Sequence, residues 1–290
     1  MSAIFRDEEA KRKIEGWYGT FRQTLSMPVE SRVIETPAGR THVLVAGPEG
    51  APPLVCLHGA LASSAHLLPE LGSLVERYRI YAVDVVGQSV MSADTRLALN
   101  DDSYGQWLAA VCTALGLDQI ALLGVSWGGF VALRAARVAP ELIRALVLLV
   151  PAGVVAGSAW QGFSKLAWPM LRYRMSPSEA RLKGVCRALF TNHDARWSAY
   201  FGDALFSYRF DMRVPPLAKA DDFAAYRGHT LIFGADQDLS FPGKALLTRA
   251  QTLFPQAELE LLAACKHCPP FDDGFRNRLA ERVHGFLSRA

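Results

Sequence analysis

The sequence predicts an α/β protein, a mostly parallel doubly wound sheet of about eight strands interrupted once by a helical segment. Three observations carry that expectation. Short uncharged apolar runs, Leu54-Val55-Cys56-Leu57, Ile80-Tyr81-Ala82-Val83 and Ala145-Leu146-Val147-Leu148-Leu149-Val150, have the composition of strands buried on both faces, as in parallel sheets. Stretches with helical spacing of apolar residues lie between them, and regular alternation of strand and helix is the pattern of a doubly wound sheet. From residue 157 to about 226 the chain turns helical and rich in aromatic residues and arginine, and the strand pattern resumes at Thr230-Leu231-Ile232-Phe233. The expected organisation is a core of residues 1–156 and 227–290 with a helical insertion at 157–226.

Taken in order, residues 6–25 place Ile14, Trp17, Tyr18, Phe21 and Leu25 at helical spacing and predict an N-terminal helix that packs by one stripe. Residues 31–35 and 42–45 flank the turn signal Pro37-Ala38-Gly39 and predict an antiparallel hairpin. The buried strands at 54–57 and 80–83 follow. Residues 103–115 predict a helix, Gln119-Ile120-Ala121-Leu122-Leu123 a strand, and 130–136 the helix after it. Beyond the insertion come the strand at 230–233, a helix after Pro242, a strand at 259–262 and a closing helix over 273–288. No internal repeat or low-complexity tract interrupts this order.

The 290 residues can bury a substantial core, and 50% of them are hydrophobic, which excludes a disordered chain. Lys and Arg total 31 against 28 Asp and Glu, a net charge of +3, so the balance predicts neither a nucleic-acid nor a membrane partner. The start, Met1-Ser2-Ala3-Ile4-Phe5-Arg6-Asp7-Glu8-Glu9, meets charge at once and lacks the apolar centre of a signal peptide, which predicts a cytoplasmic protein. The apolar stretch 145–160, free of charge, is broken by Pro151, Gly153 and Gly157 and is too short and interrupted for a membrane span. Five scattered cysteines suit free thiols. Cys265-Lys266-His267-Cys268 has C-x-x-C spacing, but a second close-spaced ligand pair is missing and the motif sits near the C-terminus, so neither metal nor other cofactor is expected.

The chemistry is carried by Gly124-Val125-Ser126-Trp127-Gly128, set between a strand and a helix. A serine hydroxyl is a weak nucleophile, and catalysis needs it lifted from its own backbone beside a base and outward-pointing peptide N–H groups. A sharp strand-to-helix turn does this, and small residues two positions either side make room for it. An oxyanion hole is expected from the amide of Ala60, in Leu57-His58-Gly59-Ala60-Leu61, and from that of Trp127, directly after the serine. His58 suits a supporting hydrogen bond. The run Gly234-Ala235-Asp236-Gln237-Asp238-Leu239-Ser240-Phe241-Pro242 offers two carboxylates past a strand. His267 follows the last strand and completes the chain order serine, acid, histidine, whereas His42, His66, His193, His229 and His284 fall in less suitable places.

These landmarks resemble the α/β-hydrolase superfamily over nearly the full length: His58-Gly59 after a strand, Asp84-Val85-Val86-Gly87-Gln88-Ser89, the turn at Ser126, Pro140-Glu141-Leu142-Ile143, Asp238 and His267. The resemblance implies a catalytic triad of Ser126, Asp238 and His267, and it makes 157–226 the cap over the nucleophile. Gly234 puts Gln237 where the family's aspartate usually stands, but Asp238 keeps the distance to Pro242 and is preferred to Asp236. The segment after Asp84 is shorter than the family's usual form. Haloalkane dehalogenases and epoxide hydrolases carry aspartate where this chain has Ser126, proline iminopeptidases carry a different loop at 58–62, and carbon-carbon bond hydrolases usually have asparagine at the place of Val125. The expected activity is therefore hydrolysis of a small, hydrophobic carboxylic ester. A carbon-carbon bond hydrolase, an acyltransferase, a cofactor-free peroxidase and a low-turnover ligand-binding protein remain open as alternatives. Arg172, Arg174, Arg181, Arg187 and Arg196 of the insertion are expected on a solvated face or against an anionic substrate.

Overall fold

The computed structural model describes residues 4–209, 211 and 213–290; Met1 to Ala3, part of the segment read above for a leader, and Phe210 and Met212 of the insertion lie outside the described residues. Its frame is one sheet of eight strands: β1 (Val29–Thr36), β2 (Gly39–Ala46), β3 (Pro53–Leu57), β4 (Arg79–Val83), β5 (Ile120–Val125), β6 (Ile143–Leu149), β7 (His229–Ala235) and β8 (Glu258–Leu262). Their order across the sheet is β1-β2-β4-β3-β5-β6-β7-β8. The hairpin β1/β2 and the pair β2/β4 are antiparallel, and every pairing from β4 to β8 is parallel. Parallel neighbours cannot be joined by a tight turn, so each needs a crossover long enough to hold a helix.

The helices among the described residues are α1 (Glu8–Gln23), α2 (Ser64–Leu67), α3 (Leu74–Arg77), α4 (Ser103–Ala114), α5 (Trp127–Val138), α6 (Ala159–Gly162), α7 (Trp168–Met175), α8 (Glu179–Leu189), α9 (Ala195–Ser207), α10 (Gly243–Leu253) and α11 (Asp273–Leu287). Side chains alternate across a strand, so each apolar run feeds two cores. Leu54, Cys56, Leu123, Val147, Leu149 and Phe233 face one core with residues of α1 and α11. Val55, Leu57, Leu122, Leu146, Leu148 and Ile232 face the other with α4, α5 and α10. Strands with no solvent face have no reason to carry polar residues, which is why they read as continuous apolar runs.

The hairpin strands are longer than the sequence predicts, beginning at Val29 and Gly39, because ladder bonds extend through polar edge residues that carry no apolar signal. The predicted N-terminal helix ends at Gln23; Asp7 caps it by accepting from the Ala10 N–H at 2.8 Å. Trp17 of its stripe is half-buried and packs against the core. It donates its indole N–H to Asp203 of α9 at 2.8 Å, and Phe5 pairs as a strand bridge with Tyr208, so the N-terminal segment buttresses the helical insertion. Helices α6 to α9 all lie between β6 and β7, and a π-helical turn, Phe163–Ala167, joins α6 to α7. Among the described residues no helix is long and apolar enough to cross a membrane.

Candidate active site

Strand β5 ends at Val125 and α5 begins at Trp127, leaving Ser126 alone at the bend with φ 50° and ψ −110°. This is a strained conformation for a residue with a Cβ, held because the surroundings over-determine it. The Ser126 N–H donates to the Leu149 carbonyl at 3.0 Å, and its own carbonyl accepts from Gly129, Phe130 and Ala152. The bend folds α5 tightly against β3 and β5. A Cβ on Gly124 would lie 2.5 Å from the Gly128 carbonyl oxygen, and one on Gly128 would lie 2.4 Å from that of Leu57. Nothing larger than glycine fits at either position without moving backbone.

His267 stands in the loop between β8 and α11. Its Nε2 is 3.0 Å from Ser126 Oγ, and its Nδ1 is 2.8 Å from Asp238 Oδ2. A carboxylate can only accept, so Nδ1 carries the proton and Nε2 is left to accept from the serine hydroxyl. Asp238 is buried after β7, and its other oxygen accepts from the Ser240 and Phe241 N–H groups at 2.7 and 3.1 Å. Asp236, two residues earlier, points elsewhere: its Oδ1 accepts from the Cys265 N–H at 3.1 Å and ties down the loop that carries the histidine. Ser126, His267 and Asp238 thus form one hydrogen-bonded row, with Asp236 outside it.

The model of the alpha/beta hydrolase fold family matches residues 52–198, half of the chain and the half that holds the bend. The chain belongs to the α/β-hydrolase family. Two carboxylesterases of Bacillus subtilis, nap and YbfK, are similar to it at 37% and 34% identity over 139 residues, 47% of this chain in both cases. The match takes in 46% and 47% of those proteins, so the chain spans about half the length of the curated relatives it matches. The solved structure of naproxen esterase from the same organism superposes with a TM-score of 0.82 at 23% identity, covering 96% of this chain and 98% of that one, a likeness of fold.

In this α/β hydrolase the loop after β3 runs close to the nucleophile: a Cβ on Gly59 would lie 3.5 Å from that of Ser126. Among the described residues the amide N–H groups of Ala60 and Trp127 donate to no protein acceptor. His58 fixes this loop. Its Nδ1 donates to the Gly59 carbonyl at 2.8 Å and its Nε2 accepts from the Val85 N–H at 3.0 Å. Burial holds its pKa below the ordinary histidine value, so it stays the neutral imidazole that this bonding requires. Leu61 takes φ 55° in the same loop, and its carbonyl accepts from the Tyr200 hydroxyl of α9.

Ser126 and His267 open onto a cavity of about 440 Å³ lined almost wholly by apolar side chains. One end lies under the insertion, at Leu166, Met170, Phe190 and Phe201. The other runs between the sheet and α11, past Val147 and Phe233 to Leu74 and Val283, residues at most 2% exposed. None of the five insertion arginines lines it. The Trp127 ring turns away from the reacting atoms to pack edge-on against Tyr104 and Phe130, its ring centroid 6.2 and 5.7 Å from theirs. Cys265 and Cys268 are thiols whose pKa values burial pushes up, that of Cys268 to about 12, which opposes the thiolate state a metal or redox role requires.

Two cavity features carry no signal in the sequence. His66 is buried among Phe21, Tyr200 and Trp197, and burial drives its pKa down to about 3. Glu70 pairs bidentately with Arg276 of α11 at 2.9 and 3.0 Å; burial raises its carboxyl pKa against the pull of that arginine. Both depend on contacts between residues far apart in the chain.

Proposed function

We propose that the protein is a serine carboxylic ester hydrolase in which residues 157–226 form a helical cap. The observation that carries this reading is the row Asp238–His267–Ser126 ending beside two unpartnered amides at the mouth of an apolar cavity. Ser126 Oγ attacks the ester carbonyl while His267 Nε2 takes its proton. The imidazolium that forms faces the buried Asp238 carboxylate, which also fixes the imidazole tautomer. The carbonyl oxygen, now anionic, accepts from the Ala60 and Trp127 N–H groups, each donor contributing about 2.7–4 kcal/mol to such a transition state. Collapse expels the alcohol with the proton from His267. Water, deprotonated by the same imidazole, then attacks the acyl-enzyme and releases the acid.

The two ends of the cavity suit the two halves of an ester differently. A leaving alcohol must escape while the acyl group is still bonded to Ser126, so it needs the end beneath the insertion, whose lining residues Leu166, Met170 and Phe201 are partly exposed. The inner end, closed by Leu74 and Val283, suits the acyl group, which remains attached until water releases it. Its walls favour an uncharged aliphatic or aryl acyl group. The test is hydrolysis of activated aryl esters together with capture of a serine-directed phosphonate, the adduct being located by peptide mass spectrometry. Turnover with the adduct on Ser126 supports the reading; labelling at another residue, or turnover that survives Ser126→Ala, removes it.

A further inference from the structure

The helical run from Ala159 to Met175 places its apolar side chains on two faces. Leu166 and Met170 line the cavity, and Tyr173 is buried against Phe206 of α9 at 5.3 Å between ring centroids. The outer face carries Trp160, Phe163, Trp168, Leu171 and Met175, which are 72, 54, 43, 46 and 69% exposed. Five large apolar residues on one short run are a patch, where scattered single exposures would need no explanation. The π-helical turn Phe163–Ala167 helps to build it, because the wider turn brings residues five apart onto one face. Trp160, Phe163 and Trp168 consequently form a ladder with 6.4 Å between successive ring centroids.

The charge within this run has one sign. Between residues 159 and 175 stand Lys165, Arg172 and Arg174 and no aspartate or glutamate. A second copy of the chain docking by the same face about a two-fold axis would set basic residues against basic residues. Tryptophan and phenylalanine with interleaved cations are instead the composition of a helix lying in a lipid headgroup layer, the rings in the acyl boundary and the cations against anionic phosphates. We propose that the outer face of the run from Ala159 to Met175 docks the protein onto an anionic lipid surface. The net charge of the whole chain hides this, since the basic residues are local. Resting on the esterase reading, the inference extends to substrate: the same run roofs the cavity, so esters dissolved in the lipid phase reach Ser126 from the docked face.

Docking is tested with the full chain and vesicles, independently of turnover. The protein should co-sediment with vesicles of phosphatidylcholine and phosphatidylglycerol, bind pure phosphatidylcholine more weakly, and be released by salt. Combined Trp160→Ser, Phe163→Ser and Trp168→Ser, all at exposed positions outside the cavity lining, should weaken partitioning at least ~10-fold. The same variant should hydrolyse a short water-soluble aryl ester within about twofold of the parent, with an unchanged circular dichroism spectrum. Indifference of the parent protein to anionic vesicles, or undiminished binding by the triple variant, overturns the proposal. So does a concentration-dependent dimer that the triple variant abolishes, since that makes the face a contact between copies. Binding to vesicles without hydrolysis of any ester would leave docking standing and remove the esterase reading.

Discussion

Among the described residues two rows join serine, histidine and aspartate, and we propose chemistry for one of them. In the first, Ser126 Oγ is 3.0 Å from His267 Nε2, and His267 Nδ1 is 2.8 Å from Asp238. In the second, on the opposite side of the sheet order, Ser31 Oγ is 2.6 Å from His42 Nε2 and His42 Nδ1 is 2.7 Å from Asp84. The second row has the shorter hydrogen bonds, and its aspartate is better satisfied: Asp84 also accepts from the Ser64 N–H and from the hydroxyls of Ser64 and Ser89. Burial raises the Asp84 pKa, but these bonds and the neighbouring His42 and His58 outweigh it and hold the carboxyl below the ordinary aspartate value. Ser31, however, sits mid-strand in β1, register-paired with Leu44, with no place in the cavity lining. A triad is thus an arrangement for polarising a serine, and on the reading proposed here a strained bend, two unpartnered amides and a cavity are what turn one such row into a site.

The comparison breaks most visibly if turnover does not reside in the first row. Ser126→Ala should lower kcat for an activated aryl ester by about 10⁴- to 10⁶-fold, as loss of a triad nucleophile does elsewhere. Residual activity well above that level, abolished by adding Ser31→Ala, would show that the second row also reacts. Asp238→Asn should cost about 10⁴-fold, since the amide turns the imidazole to the wrong tautomer. Asp236→Asn should stay within about tenfold, because Asp236 only anchors the Cys265 amide. Steady-state kinetics on the two variants, with folding checked by circular dichroism, separates the carboxylates; the opposite ranking would make Asp236 the orienting acid.

The second row should answer in stability instead. Asp84→Asn removes a fully buried charge from its hydrogen-bonded partners and should destabilise the fold by about 3–5 kcal/mol in chemical denaturation, with turnover per folded molecule retained. Equal stability with lost turnover would make Asp84 part of the reaction machinery. Acid should act through the buried histidines. His58 and His66 have folded-state pKa values lowered by burial, so the unfolded chain binds more protons below about pH 6.5 and stability falls as pH falls from there, for His66 down to about pH 3. Asp84, lowered as well, contributes stability above the ordinary aspartate value and loses it below. The slope should approach ~1.4 kcal/mol per pH unit for each histidine in that window. Denaturation curves between pH 4 and 7 should flatten in His66→Phe; an unchanged slope would mean that His66 does not bind a proton on unfolding.

The difference between the rows was only partly legible in the sequence. Strands β3 to β7 carry two buried faces and so announce themselves, and the glycines around Ser126 mark a close approach that any fold must respect. His267 is found by chain order alone. Choosing Asp238 over Asp236 is a matter of two positions in one turn, where the distance to Pro242 favours Asp238 and the direction of each side chain separates the two. The second row leaves no trace, because Ser31, His42 and Asp84 are joined by strand pairing across the sheet. His66, the Glu70–Arg276 pair and the contact of Trp17 with Asp203 are invisible for the same reason: each is made by tertiary packing between segments with unremarkable local sequence. The π-helical turn that aligns Phe163 with Trp168 is a backbone irregularity, and a 3.6-residue period scatters the residues it gathers.

The smallest effect is also the sharpest discriminator between the two rows. Ser31 shares its hydrogen bond with an imidazole that is already held by Asp84 and buried in the sheet, and its own residue is exposed, so water can take its place. Ser31→Ala should therefore cost at most about 1 kcal/mol, the usual net contribution of a replaceable hydrogen bond, and leave kcat and KM unchanged. A phosphonate adduct count of one per chain in the parent and in Ser31→Ala, and of zero in Ser126→Ala, would fix the separation between the rows. A second adduct that disappears with Ser31→Ala or His42→Ala would mean that hydrogen-bonded polarisation alone suffices to activate a serine on this sheet, and that the bend, amides and cavity around Ser126 supply turnover and not reactivity.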